Sequence, residues 1–521
     1  MRILMTAGLL AALTAGTAQV DEIDAMPSEP EKRLVQSGPL HLTKLPKAHA
    51  RLEGTTLVVD IPKGARPDSA SALVDIDLSP IAGHCLEMRI RARGRGVGRP
   101  SVGYKGLKFM LCLEDEDGTR TWPGCPHRAG DWADELVTVC DLAGHRLRRA
   151  TLQLGLQECE GRVEFDLSSF RLFDAGVPFP LVNSDWKVKY PPEVGARGRL
   201  RGVMLPGDLK AIKEDDFATL EKWGATLVRY QIPKGWNSLD AWLDNADYDA
   251  YIDEALDILE TRVLPWAEKH GQLVCIDLHA TPGARCRAKE NRMFYEKAYA
   301  DHFVETWRRI ARRFRGDRRL YGYDLVNEPQ QLGPAPQSYL HVQLAAARAI
   351  REIDPVTPII VAANGFGSPS GFRTMSPLRM DNVIYQSHSY QPMGFTHQGT
   401  HGGPKDNLKE YPNPKEGWDK ETIRRSLQPV RDFQLRHNAK IYIGEFSAIT
   451  WAKGADRYIR DSIEIFEEYG WDWCYHAFRE WPGWSVEHEW SRGKNGRDVF
   501  TEVPDTPRKR ALLEGFKRTV R

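Results

Sequence analysis

Net charge is almost missing from this sequence. Its 72 lysines and arginines face 71 aspartates and glutamates, a formal balance of +1 over 521 residues. That balance gives no long-range pull toward nucleic acid or an anionic membrane, so neither is an expected partner. Long apolar runs are scarce as well. Beyond the N-terminus no segment approaches the ~20 apolar residues a spanning helix needs, and membrane insertion is not expected. The eight cysteines, Cys85, Cys112, Cys125, Cys140, Cys159, Cys275, Cys286 and Cys474, follow no zinc spacing. Odd counts in each part of the chain leave some thiols free or paired across parts. There is no internal repeat. No Gly-x-Gly-x-x-Gly follows the first strand of the C-terminal part, which argues against an open doubly wound sheet.

What is present divides the chain. Arg2 precedes the uncharged run 3–17, with small residues at Gly16 and Ala18. Residues 1–18 therefore predict an export signal, and with it a secreted or periplasmic protein. Residues 19–36, charged and proline-containing, predict a tether. Residues 37–176 predict an all-β sandwich. Short runs at 56–61, 72–78, 86–92, 107–113, 136–142, 151–156 and 163–173 are rich in Val, Leu and Phe and separated by turn residues. The joint at 177–195 carries Pro178, Pro180, Pro191 and Pro192.

From 196 to 521 the pattern changes to strand, helix, strand, helix. Candidate strands centre near Val203, Val228, Ile276, Leu325, Ile360, Ile384, Ile443 and Cys474. Between two of them Phe303, Trp307, Ile310 and Phe314 form one helical stripe. Eight strands alternating with helices predict an α/β fold, a (β/α)8 barrel.

The active site of such a barrel lies at the C-terminal ends of its strands. Arg229 ends the second, Asp277-Leu278-His279 the third and Asn327-Glu328-Pro329 the fourth. The sixth ends in His388-Ser389-Tyr390, and the seventh reads Ile443-Gly444-Glu445-Phe446. A carboxylate straight after an apolar strand is costly to desolvate without partners. One such glutamate is compatible with an ordinary salt bridge. Two of them, with Arg229, His279, Asn327, His388 and Tyr390 converging, point to the paired carboxylates of glycosidic cleavage.

Here the sequence resembles glycoside hydrolase family 5. The resemblance rests on Asn327-Glu328-Pro329, with Arg201-Gly202-Val203, Arg229, His279, His388-Ser389-Tyr390 and Gly444-Glu445 following the family order over residues 198–490. It implies that Glu328 is the acid/base and Glu445 the nucleophile of a retaining hydrolase acting on a β-linked glycan, endo-glucanase- or mannanase-like. It further implies that Asn327 holds the sugar 2-hydroxyl, that Arg229 and Tyr390 contact Glu445, that His388 sits near Glu328, and that His279 binds sugar hydroxyls. No metal and no other cofactor is implied. Residues 163–172 are similar to the last strand of jelly-roll, galactose-binding-like modules. The sandwich is then either a carbohydrate-binding domain or a purely structural one.

One position departs from the family, which has a tryptophan platform at the end of its eighth strand. Register puts His476 there, and Trp481 in the following loop is expected to supply the platform instead. Trp484 and Trp490 are candidates for further subsites. His397 and His401 share a glycine-rich loop without the carboxylate that a metal pair would want. A non-catalytic carbohydrate-binding barrel and a transglycosylase use the same residues and remain alternatives. Composition does not indicate an oligomeric state.

Overall fold

Through the first third of the chain apolar side chains recur at every second position, the period that collects them on one face of a strand. The computed structural model describes residues 32–64, 70–99, 105–116, 118–123, 128–142, 145–176, 185–233, 235, 241–286, 289–400, 405, 407–494 and 496–518. The expected export signal, most of the tether, Cys125, His401 and the first prolines of the joint lie outside them. In Ala70–Asp75, Ala72 and Val74 are buried between residues turned outward. Two antiparallel sheets result. One is centred on the long strand Cys85–Val97, flanked by Gly130–Asp141 and Gly161–Asp166. The other runs Ala70–Asp75, Leu147–Gln157, Gly106–Asp115, Arg120–Thr121. Val59, Ile90 and Val163 from the first pack with Leu111, Leu152 and Leu154 from the second in one core.

Two details differ from the sequence expectation. The strand expected over 163–173 is interrupted. Asp166 accepts a hydrogen bond from the backbone N–H of Ser168 at 3.1 Å and caps a short turn at Leu167–Ser169. The chain then rejoins the same long strand, with Phe165 opposite Ala92 before the turn and Leu172 opposite Met88 after it. In addition Arg33–Ser37, all but its last residue within the stretch expected to be a tether, pairs antiparallel with Arg171–Asp174.

The C-terminal part closes into a parallel barrel of eight strands: β1 (Arg201–Met204), β2 (Leu227–Ile232), β3 (Leu273–Leu278), β4 (Leu320–Asp324), β5 (Ile359–Ala362), β6 (Val383–Ser389), β7 (Lys440–Phe446) and β8 (Asp472–Tyr475). Their near-continuous burial reflects neighbours on both faces, helices outside and packed side chains within. The helix Lys297–Phe314 buries Phe303, Trp307, Ile310 and Phe314 against this wall, and Trp307 Nε1 donates to the Leu325 carbonyl at 3.1 Å. β1 requires glycine at 202, since a Cβ there would stand 2.1 Å from the Leu227 carbonyl oxygen.

Inside the barrel Leu227, Cys275, Tyr321, Ile360, Ile384, Tyr442 and Cys474 form an apolar plug. Tyr190, from the expected linker, packs against it. Its hydroxyl donates to the Val383 carbonyl at 2.7 Å and accepts from the Lys440 N–H at 2.6 Å. The sandwich meets the barrel where the Cys85 thiol donates to the Leu332 carbonyl at 3.2 Å and Arg373 approaches Asp115 at 3.6 Å. The seven described cysteines form no disulfide with one another.

Candidate active site

Above the plug the barrel interior turns polar. Arg229 on β2 has no exposed surface. A guanidinium buried so deeply needs carboxylates around it. Asp324 Oδ2 lies 2.9 Å away, Asp277 Oδ1 3.0 Å and Glu445 Oε1 2.7 Å, and the Asn327 side-chain oxygen accepts at 3.1 Å. One side chain thus ties together β2, β3, β4 and β7. Three carboxylates against one guanidinium leave negative charge in excess. Burial pushes Asp324 up to about 7, with Asp277 adding to the rise and Arg229 opposing it. The Gln386 amide on β6 donates to Asp324 at 2.7 Å.

Gly444 makes that last contact possible. A Cβ at 444 would stand 1.8 Å from Gln386 Oε1 and 3.1 Å from His388 Nε2. Gly444→Ala is expected to push Gln386 off Asp324, cost about 1–3 kcal/mol of stability by overpacking, and displace the adjacent Glu445. Denaturant unfolding and kcat, measured on the same preparation, check this. Wild-type values for both would show that β7 relaxes freely.

Glu445 is buried with both oxygens occupied, Oε1 by Arg229 and Oε2 by the Tyr390 hydroxyl, which donates at 2.9 Å. Burial alone would push its pKa up. His388, His476, Arg229 and His279 outweigh that and hold it well below the usual carboxylate range. Burial, with Glu445 and Glu328 nearby, pushes the Tyr390 hydroxyl well up, so it keeps its proton for this bond. Glu328 follows β4 in the left-handed region, at φ 49°, where a side chain other than glycine is uncommon. Its carbonyl accepts from Arg285 at 2.8 Å, which holds that conformation. Its carboxylate lies 2.9 Å from His388 Nδ1, and the same nitrogen is 3.6 Å from Glu445 Oε2. An oxygen of Glu328 and one of Glu445 stand within 4.8 Å of each other.

The other expected site residues fall into two groups. His279, Asn327, His388 and Tyr390 join the cluster. His279 Nδ1 lies 2.7 Å from Asp277, and its Nε2 lies 3.3 Å from the Asn327 amide nitrogen. Trp481 lies in the loop beyond β8. The structure places that ring 38% exposed among Trp451, Trp484 and Phe500, at 6.0–6.1 Å between ring centres. His476 is the residue that reaches inward from the end of β8, 2.7 Å from the Tyr390 hydroxyl. Trp484 lies against it, ring centres 5.5 Å apart, and the ring of Trp490 packs on Trp451. His397 packs edge-on against Tyr390 and Trp484 and lies 2.9 Å from the Thr396 hydroxyl.

Asp277, Asp324, Gln386 and Glu480 had no assigned role in the sequence. The signal for the two aspartates was there: a charged side chain inside a strand buried on both faces must have a partner. Glu328, His388 and Glu445 also offer three atoms close enough for a metal ion. Here the same side chains are engaged with one another and with Tyr390, and Arg229 already supplies positive charge at Glu445.

The family model described as cellulase (glycosyl hydrolase family 5) matches residues 194–480. Endoglucanase C of Acetivibrio thermocellus is 27% identical over 286 residues, covering 50% of this chain and 81% of that protein. Cellodextrinase A of Ruminococcus flavefaciens is 23% identical over 295 residues, covering 53% and 84%. The crystal structure of an endoglucanase from the hyperthermophilic Thermotoga maritima aligns at 21% identity and a TM-score of 0.45, covering 61% of this chain and 96% of that one.

Proposed function

Because the chain belongs to glycosyl hydrolase family 5, we propose that it hydrolyses a β-linked glycan by double displacement with retained anomeric configuration, Glu445 attacking and Glu328 exchanging the proton. One observation carries the reading: a single nitrogen of His388 lies between the two carboxylates, whose oxygens come within 4.8 Å. Retaining hydrolases hold their carboxyl groups about 5–5.5 Å apart, whereas inverting ones need about 6.5–9.5 Å to admit a water.

The steps follow from the environments. Glu445, kept ionised by Arg229 and Tyr390, attacks the anomeric carbon. Glu328 gives its proton to the departing oxygen. In the second half Glu328 takes a proton from water, the water oxygen bonds to the anomeric carbon, and Glu445 leaves as a carboxylate. Asn327, braced by Arg229 and His279, is positioned for the sugar 2-hydroxyl. The relatives' names, endoglucanase and cellodextrinase, favour a β-glucan as the substrate class. Among the described residues no helix is long and apolar enough to cross a membrane. The uncharged run 3–17 after Arg2 is the reason we read the protein as exported.

The test is the configuration of the first-formed product. Proton NMR at early times on a soluble β-glucan oligosaccharide is expected to show the β anomer, followed by mutarotation. Initial formation of the α anomer would overturn the retaining assignment.

A further inference from the structure

Both ring nitrogens of His476 are occupied. Nδ1 lies 2.7 Å from the Tyr390 hydroxyl oxygen, and Nε2 lies 3.0 Å from Glu480 Oε2. Each contact fixes a proton. Tyr390 has one hydroxyl proton, and it goes to Glu445, so toward His476 that oxygen can only accept. Glu480 is a carboxylate whose other oxygen already accepts from the Gln231 amide at 3.1 Å, so it too accepts. An imidazole facing two acceptors must present two N–H groups, and only the imidazolium does that.

We propose that Glu480 holds His476 as a cation and that His476, acting through Tyr390, is a positioning residue for the Glu445 carboxylate. The reading rests on Glu445 being the nucleophile. The order of groups is Glu480, His476, Tyr390, Glu445, each donating toward the nucleophile or neutralising the donor behind it. A hydroxyl that accepts from a cation is a stronger donor, so the proton Tyr390 offers Glu445 is better placed. His476 Nδ1 is also 3.9 Å from Glu445 Oε2. When the bond from the anomeric carbon to Glu445 breaks in the second step, its electron pair returns to a carboxylate facing this cation. The gain is therefore greatest in deglycosylation.

The loop that carries Glu480 is clamped. Arg479 pairs with Glu487 at 2.8 Å and with Asp216 at 2.7 Å, and Lys509 pairs with Glu487 at 3.0 Å. The charged or titratable groups facing His476 are Glu445 on β7, Glu328 after β4, Tyr390 after β6 and Glu480 in its own loop. His279 on the β3 side faces Glu480. Burial pulls the His476 pKa down, but Glu445 and Glu480 raise it above the ordinary histidine value. Burial pushes Glu480 up, and His476 and Gln231 bring it below the usual range. The device is therefore intact below the raised histidine value and fails as pH climbs past it.

Full-length protein labelled with 15N-histidine tests this, the His476 signals being assigned by their loss in His476→Gln. At pH 7 both ring nitrogens of His476 are expected to be protonated. Glu480→Gln should lower its titration midpoint by about one pH unit or more and, on an activated aryl glycoside whose deglycosylation limits turnover, move the alkaline limb of kcat down by the same amount. A neutral ring at pH 7 in the wild-type protein overturns the proposal, whether or not Glu480→Gln folds. So does a Glu480→Gln variant in which neither the midpoint nor the limb moves. Retained turnover in Glu445→Ala would overturn the nucleophile reading instead, and would leave the NMR result on His476 standing.

Discussion

Replacing Glu445 by alanine is expected to lower turnover of β-glycosides by roughly 10⁴–10⁶-fold, the scale seen when a covalent nucleophile is deleted. Nothing else in the cluster can take over the attack. Glu328 is engaged with His388, and Asp277 and Asp324 lie deeper, against Arg229. The fold should survive, because Arg229 keeps those two aspartates and the variant removes one of three carboxylates crowding a single cation. The cavity left behind is suited to a small anion. Added azide is then expected to attack the anomeric carbon directly and give an α-glycosyl azide. Turnover within tenfold of wild type on an aryl β-glycoside would show that chemistry happens elsewhere.

Glu328→Ala is expected to behave differently, with the difference set by the leaving group. On an unactivated glycan, loss of the proton donor should cost about 10²–10⁴-fold. An aryl glycoside with an acidic leaving group needs little protonation, so its first step should proceed and the glycosyl-enzyme accumulate. Release then stalls, since no base activates water. Azide requires no base, so it should restore turnover and yield a glycosyl azide of β configuration. If the two variants gave each other's product, the roles of Glu328 and Glu445 would be reversed.

All eight barrel strands were legible in the sequence because most are short, largely apolar runs buried on both faces, as at Leu227–Ile232 and Val383–Ser389. The polar strand ends were legible for the same reason, since Arg229, Glu328 and Glu445 interrupt or terminate apolar runs. Harder to see was anything that depends on pairing across distance. Asp324 sits four residues before Glu328 in a motif where the glutamate draws the attention, and its partners Arg229 and Gln386 lie on other strands. The break at Leu167–Ser169 had a local signal, Asp166 followed by two serines, but the apolar alternation resumes after it and masks it. The loop after β8 was the least legible part. Register correctly put His476 at the strand end, yet the course beyond it is set by Arg479 reaching Asp216, 263 residues earlier. Trp481, expected to be a platform over the site, packs among Trp451, Trp484 and Phe500, and Trp484 in turn lies against His476.

The triple grip on Arg229 also has a meaning in time. During synthesis the chain emerges from its N-terminus, at about 5–20 residues per second. Arg229 is followed by Asp324 95 residues later and by Glu445 216 residues later. At that pace the nascent chain goes roughly 10–40 seconds between making its arginine and making its nucleophile. In that interval Asp277 and then Asp324 can neutralise the arginine, so the half-built barrel never has to bury a lone cation. The two aspartates thus act as escorts for a charge whose final partner comes off the ribosome late.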